Sequence, residues 1–140
     1  MKNKFWLSVV AVFVVLSVMD FLINGVLMRA DYMATAQLWR PEGEMMIWLF
    51  YVVDLFIAYF FTLIFTKGYE NKGMMEGVRY GFYVGMLMAV PMAYGTYGAM
   101  PIPYSLALKW FLFGLAQYII LGIVVASVYG KKAASTAAAA

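Results

Sequence analysis

Cysteine and histidine are both missing from this chain of 140 residues. Their absence removes thiol nucleophiles, disulfides, thiolate and imidazole metal ligands and axial histidine ligation of haem. It also removes the side chain most often used as a general base near neutral pH. Charge is scarce too: 12% of the residues are charged, against roughly 25% in a soluble domain. No metal or cofactor is expected from this composition. The net charge of +3 falls on residues that flank apolar stretches, so nucleic acid is not an expected partner.

What is present is apolar: 66% of the residues are hydrophobic. They gather in four stretches, at about 5–28, 45–66, 77–98 and 109–129. Each reaches the roughly 20 residues needed to cross ~30 Å of hydrocarbon as a helix. Helices are the economical choice, because backbone groups in lipid must be satisfied within the segment. The expected fold is therefore all-α, a membrane four-helix bundle formed by residues 1–132 as one domain, with the lipid bilayer as its solvent. Residues 133–140 are almost all alanine and read as a disordered or non-native tail. Lys2 and Lys4 ahead of the first stretch resemble a signal-peptide start. The stretch is too long for a cleaved leader, and Asp20 and Asn24 interrupt it.

Basic residues give the expected orientation. Lys2, Lys4, Lys67, Lys72, Arg79, Lys131 and Lys132 fall on one side of a four-span chain, leaving Arg29, Arg40 and Lys109 on the other. Both termini are expected in the cytoplasm and the chain in a cell (inner) membrane. Aromatic residues mark the span ends as interfacial anchors: Trp39, Trp48, Tyr97, Tyr104 and Trp110 at the outer side, Trp6, Tyr69, Tyr80 and Tyr129 at the inner. The first connection should hold a short interfacial helix near 32–38. Residues 67–73 read as a polar turn and 94–104 as an uncharged loop.

The third span carries Gly77, Gly81, Gly85, Ala89 and Ala93 at four-residue spacing, and the fourth repeats it with Gly122, Ala126 and Gly130. Small residues on one face let a second helix approach closely. Pro91 inside the third span predicts a kink or a freed carbonyl. Met86, Met88 and Met92 offer thioethers that suit Cu(I). Met86 and Met88 do not share a helical face, so methionine reads as packing material.

Polar residues inside the spans carry the functional expectation. Asp20, Asp54 and Gln117 come from three helices, and each falls ~12–14 Å below the outer boundary at 1.5 Å per residue. Asn24 lies one turn outward of Asp20 on the same face. An ionised Asp near a helix centre costs about 2.5–3.5 kcal/mol to insert. Two of them should face the bundle interior and share a proton or be hydrogen-bonded, with at least one protonated at neutral pH. No Lys or Arg is expected at that depth. Asp20, Asn24, Asp54 and Gln117 are thus either an interhelical polar clamp or a site for a proton, a cation or a polar-headed ligand.

The second and fourth spans open alike, Trp48-Leu49-Phe50 and Trp110-Phe111-Leu112, with Asp54 and Gln117 at matching distances beyond the Trp. This suggests two related helical hairpins. Lys72-Gly73 followed by Gly77-x-Arg79-Tyr80-Gly81, with the length and hairpin layout, resembles small four-span bacterial integral membrane proteins of unknown function. That resemblance implies the fold and no activity. The expected role is an accessory or structural subunit of a larger membrane assembly or of a homo-oligomer, and not an enzyme. The alternatives are a proton- or cation-coupled carrier or ligand-binding protein using the Asp20/Asp54 level, and a lipid-modifying enzyme.

Overall fold

The computed structural model describes the backbone of residues 2–139 and the side chains of residues 2–130. The expected alanine-rich tail, 133–140, lies outside the residues described to side-chain level. The chain is all-helical, with no strand among the described residues. Helix α1 is Lys2–Leu22 and runs into a π-helical turn, Ile23–Leu27. Helix α2, Arg29–Ala34, and two 3₁₀ turns, Ala36–Leu38 and Glu42–Glu44, fill the first connection. Helix α3 is Ile47–Lys67, α4 is Met74–Val90, α5 is Thr96–Ala99 and α6 is Tyr104–Ala139.

Three helices are long and apolar enough to cross a membrane: Lys2–Leu27, Ile47–Lys67 and Tyr104–Gly130. The remaining helical path, 74–99, is continuous but diluted by glycine and tyrosine. Its turn at Pro91–Gly95 is π-helical, which fits a proline that lacks an N–H and forces the ladder to widen. The helical path extends to Ala99, so the loop expected from 94 is confined to 100–103. Similarly, α6 starts at Tyr104, five residues before the expected boundary. The polar connection between α3 and α4 closes on Glu76, whose carboxylate accepts from the backbone N–H groups of Glu70 at 2.6 Å and Lys72 at 2.8 Å. Lys72 pairs with Glu70 at the surface of this turn.

The outside of the chain is as apolar as its inside. On α1, Val9, Val12 and Leu16 are buried at helical spacing, while Val10, Val14, Val18 and Phe21 are exposed. On α3, Ala58, Phe61 and Phe65 point inward and Phe50, Leu55, Phe56, Phe60 and Ile64 outward. A helix that is apolar all round has lipid or protein on every side.

Helix α6 is the centre of the packing. Along 114–126 it packs against α4, it carries α1 on another face, and α1 in turn packs on α3. The α4–α6 seam is a glycine contact. A Cβ on Gly77 would fall on the carbonyl oxygen of Gly122, and one on Gly81 on the carbonyl oxygen of Tyr118. Gly85 lies against Leu115 and Tyr118, Ala89 against Gly114, and Ala126 against Gly77. Ala93 is fully buried at the next step of the stripe. Gly130 faces the Tyr69 hydroxyl instead.

Two apolar clusters result, inner and outer in the expected orientation. The inner one gathers Val9, Val12 and Leu16 of α1, Phe61 and Phe65 of α3, and Leu121 and Val125 of α6. Tyr80 of α4 closes it, with its hydroxyl donating to the Phe61 carbonyl at 2.5 Å. The outer cluster joins Met28, Ala93, Ile102, Leu106, Ala107 and Trp110. Trp110, expected as an interfacial anchor, is 7% exposed and belongs to this cluster. Trp6 and Trp48 are more than half exposed.

Adding a methyl group at the seam tests it. Gly81→Ala must separate α4 from α6, because the obstructing atoms are backbone, and should destabilise by about 1–3 kcal/mol or more. Gly98→Ala has open space around it and should stay within about 0.5 kcal/mol of the parent. Reversible unfolding in bicelles measures both.

Candidate functional site

Between the two apolar clusters lies a polar layer. Asp54 is the buried residue of the outer half of α3 and is 5% exposed. Gln117 of α6 is 9% exposed, and Asp20 of α1 is half-buried. The Gln117 Nε2 donates to Asp20 Oδ1 at 2.6 Å. The Ser17 hydroxyl, one turn inward of Asp20, donates to Asp54 Oδ2 at 2.9 Å. Because Ser17 and Asp20 are one turn apart on α1, these two bonds bring the carboxyl groups to the same level of the α1–α3 contact. Among the described residues, no Lys or Arg side chain bonds either of them. Tyr118, beside Gln117, is buried with its ring against Phe61 of α3.

This arrangement follows from local helix geometry. Asp20 and Ser17 are three residues apart and share the face of α1 that meets α3. Gln117 follows from the glycine seam. With Gly81 seated on the Tyr118 carbonyl, α6 is fixed in rotation, and its face about 100° away turns toward α1. Each acid thus receives one neutral donor from a neighbouring helix. The other oxygen of each carboxyl accepts no bond among the described residues.

Asn24 attaches to the same layer from outside. It lies in the π-helical turn, is exposed, and its Nδ2 donates to the backbone carbonyl of Asp20 at 3.2 Å. Its Oδ1 accepts from the Tyr32 hydroxyl at 2.7 Å. Tyr32 in turn accepts from Trp110 Nε1 at 2.8 Å. Burial pushes the Tyr32 phenol above its usual range, opposed by the Trp110 bond and reinforced by the charges of Asp31 and Asp20. Beyond Tyr32, Lys109 Nζ bonds both oxygens of Asp31 at 2.8 Å. The Trp39 indole donates to Thr35 Oγ1 at 2.8 Å, and its ring meets those of Tyr32 and Trp110 edge-on. The first connection is therefore tied onto the outer end of α6.

Of the residues singled out in the sequence, Asp20 and Gln117 bond directly, Asp54 joins them through Ser17 of α1, and Asn24 reaches Asp20 through its backbone. Ser17, Tyr32 and Trp110 were not legible as members. Ser17 is one small hydroxyl in an apolar run, its only signal being its place one turn from Asp20. Tyr32 and Trp110 carry the composition of interfacial anchors. Lys109 does not approach the acids and is held by Asp31. No group of three or more acidic side chains that could hold a metal ion occurs among the described residues.

Comparison of the chain with protein families, with curated proteins and with solved structures finds no match. The class that fold and site define is accordingly no finer than an all-helical chain with three helices of membrane-crossing length.

Removing the neutral donors tests the layer. Gln117→Leu and Ser17→Ala should each weaken the docking of α1 by about 1–2 kcal/mol, the range of interhelical hydrogen bonds in membranes. Lys109→Met breaks a partly exposed ion pair, so its cost should be about 1 kcal/mol or less and should shrink with added salt. Unfolding equilibria at low and high salt separate the two kinds of loss.

Proposed function

We propose that this chain is a small integral membrane protein of four crossings whose Asp20/Asp54 pair holds one proton between α1 and α3. The fourth crossing in this reading is the 74–99 path, packed along α6 by its glycines. Residues 1–132 then form one four-helix bundle with both termini on the cytoplasmic side of an inner membrane, as the distribution of Lys and Arg favours. The chain serves as a proton-responsive subunit of a larger membrane assembly or of a homo-oligomer. Its connections are too short to make a separate extramembrane domain.

One observation carries the proton reading. Two carboxyl groups from different helices lie one turn of α1 apart through their donors, each steadied by a neutral donor and neither by a cation. Two ionised carboxylates so placed repel, and no basic side chain offsets the repulsion. One shared proton removes the repulsion and makes one acid a donor to the other. Loss of that proton drives the two carboxylates apart and loosens α1 from α3. Protonation is thereby coupled to helix packing, which is what a proton-responsive subunit requires.

Infrared spectroscopy of the protein in lipid tests this. The carbonyl band of a protonated carboxylic acid should be present at low pH and titrate away as pH rises. Asp20→Asn and Asp54→Asn should each move that titration to lower pH while keeping the fold, because the remaining acid no longer faces a second carboxylate and the amide still hydrogen-bonds. A band of constant intensity from about pH 4 to about pH 9 identifies a permanently neutral clamp and overturns the proposal.

A further inference from the structure

We propose that the Asp20/Asp54 pair exchanges its proton with one face of the membrane only, the face carrying the 29–46 connection, along a polar edge made by Asn24 and Tyr32. The inference rests on the proton-sharing reading of the pair and adds a side and a route to it.

The two directions out of the polar layer differ in chemistry. Inward of the pair, the interior is the apolar cluster of α1, α3 and α6, in which Val12, Ala58, Leu121 and Val125 have no exposure. The polar side chains in that half are engaged or isolated, and the one nearest the layer, Tyr118, is buried against Phe61 with no hydrogen bond from its hydroxyl among the described residues. Ser8 donates to the Lys4 carbonyl at 2.7 Å and Tyr80 to the Phe61 carbonyl at 2.5 Å. Thr62 is fully buried and its hydroxyl has no partner among the described residues. It stands eight residues from Asp54 along α3, ~12 Å at 1.5 Å per residue, too far for a direct transfer. Water has too few polar partners to occupy such a region.

Outward, the polar groups are continuous. Asn24 bonds the Asp20 carbonyl, Tyr32 bonds Asn24, and the Trp110 indole bonds Tyr32. Asn24 is exposed and Tyr32 partly so, which lets the edge hold water. The π-helical turn matters here. It widens the helical path at 23–27, where the Asn24 amide reaches back to the Asp20 carbonyl. The bond from Asn24 goes to the Asp20 backbone and not to its carboxyl, so water carries the last step. The titratable groups around the acids are few: Asp54 from α3, Tyr118 from α6 and Tyr32 from α2. Farther out, Asp31 and Lys109 neutralise each other, so no net charge bars the route.

The step is a proton transfer alone. The O–H bond of the protonated acid breaks, its electron pair stays on the carboxylate, and the proton passes to a water on the Asn24 edge. The reverse step restores the acid. Asn24 and Tyr32 are positioning residues in this scheme, acting through the water they order.

Proteoliposomes whose orientation is fixed by protease access to the 29–46 connection provide the test. The two faces are set to about pH 5 and about pH 8 in either sense, and a membrane-permeant carbodiimide, which modifies protonated carboxyls, is added. Modification of Asp20 or Asp54, read by mass spectrometry, should follow the pH of the face carrying 29–46, about tenfold faster when that face is the acidic one. In a pH-jump infrared experiment, Tyr32→Phe and Asn24→Leu should slow the approach to equilibrium by about tenfold or more while leaving the end-point titration in place. Tyr32→Phe keeps the ring and its packing, so it serves if Asn24→Leu disturbs the fold. Modification that follows the opposite face, or both faces equally, overturns the one-sided route but leaves the shared proton standing. So do variants that leave the rate unchanged. Modification that responds to neither face overturns the shared proton and the route with it.

Discussion

The backbone contact between α4 and α6 is the constraint on which the rest of the structure depends. Between helices surrounded by apolar material on every side, hydrophobicity gives no reason for one pairing over another. Close van der Waals approach does. Gly77 against Gly122, and Gly81 against the Tyr118 carbonyl, allow a separation that any larger residue would prevent. That contact fixes the rotation of α6 about its own axis. Once it is fixed, Gln117 faces α1, Tyr118 faces α3, and Trp110 turns into the outer cluster.

The polar layer is then a consequence of packing as well as a candidate for function. Glycine contacts and the inner apolar cluster bring α1, α3 and α6 to a common centre, and Asp20, Asp54 and Gln117 meet just outward of it. The layer has an uneven environment. Its inner boundary is a tightly filled apolar core, and its outer boundary is a hydrogen-bonded edge of Asn24, Tyr32 and Trp110.

The first connection does more than join two helices. Lys109 and Asp31, Trp39 and Thr35, and Tyr32 and Trp110 fasten it to the start of α6. Several of these residues look individually like ordinary membrane-interface residues. Their joint effect is to cap the outer cluster and to place the Tyr32 hydroxyl one hydrogen bond from Asn24. The corresponding restraint at the other end is the Glu76 carboxylate gripping the 68–73 turn.

What the sequence by itself determined is whatever depends on composition along one helix. Long apolar runs dictate helices of membrane-crossing length, because an unsatisfied backbone in lipid is costly. The four-residue spacing of Gly77, Gly81 and Gly85 marks a close-contact face, because i and i+4 lie together on a helix. The matching positions of Asp20, Asp54 and Gln117 along their helices follow from the fixed rise per residue. Only the tertiary structure decided which groups touch. Each residue turns a helix by about 100°, so a partner is chosen by rotation and tilt, and composition records neither. This is why Ser17 stayed hidden as the donor to Asp54, why Trp110 turned from an expected anchor into a buried donor, and why Lys109 went to Asp31. The π-helical turn at 23–27 belongs with them. It widens the helical path where Asn24 meets Tyr32, and the local run of apolar residues does not announce it.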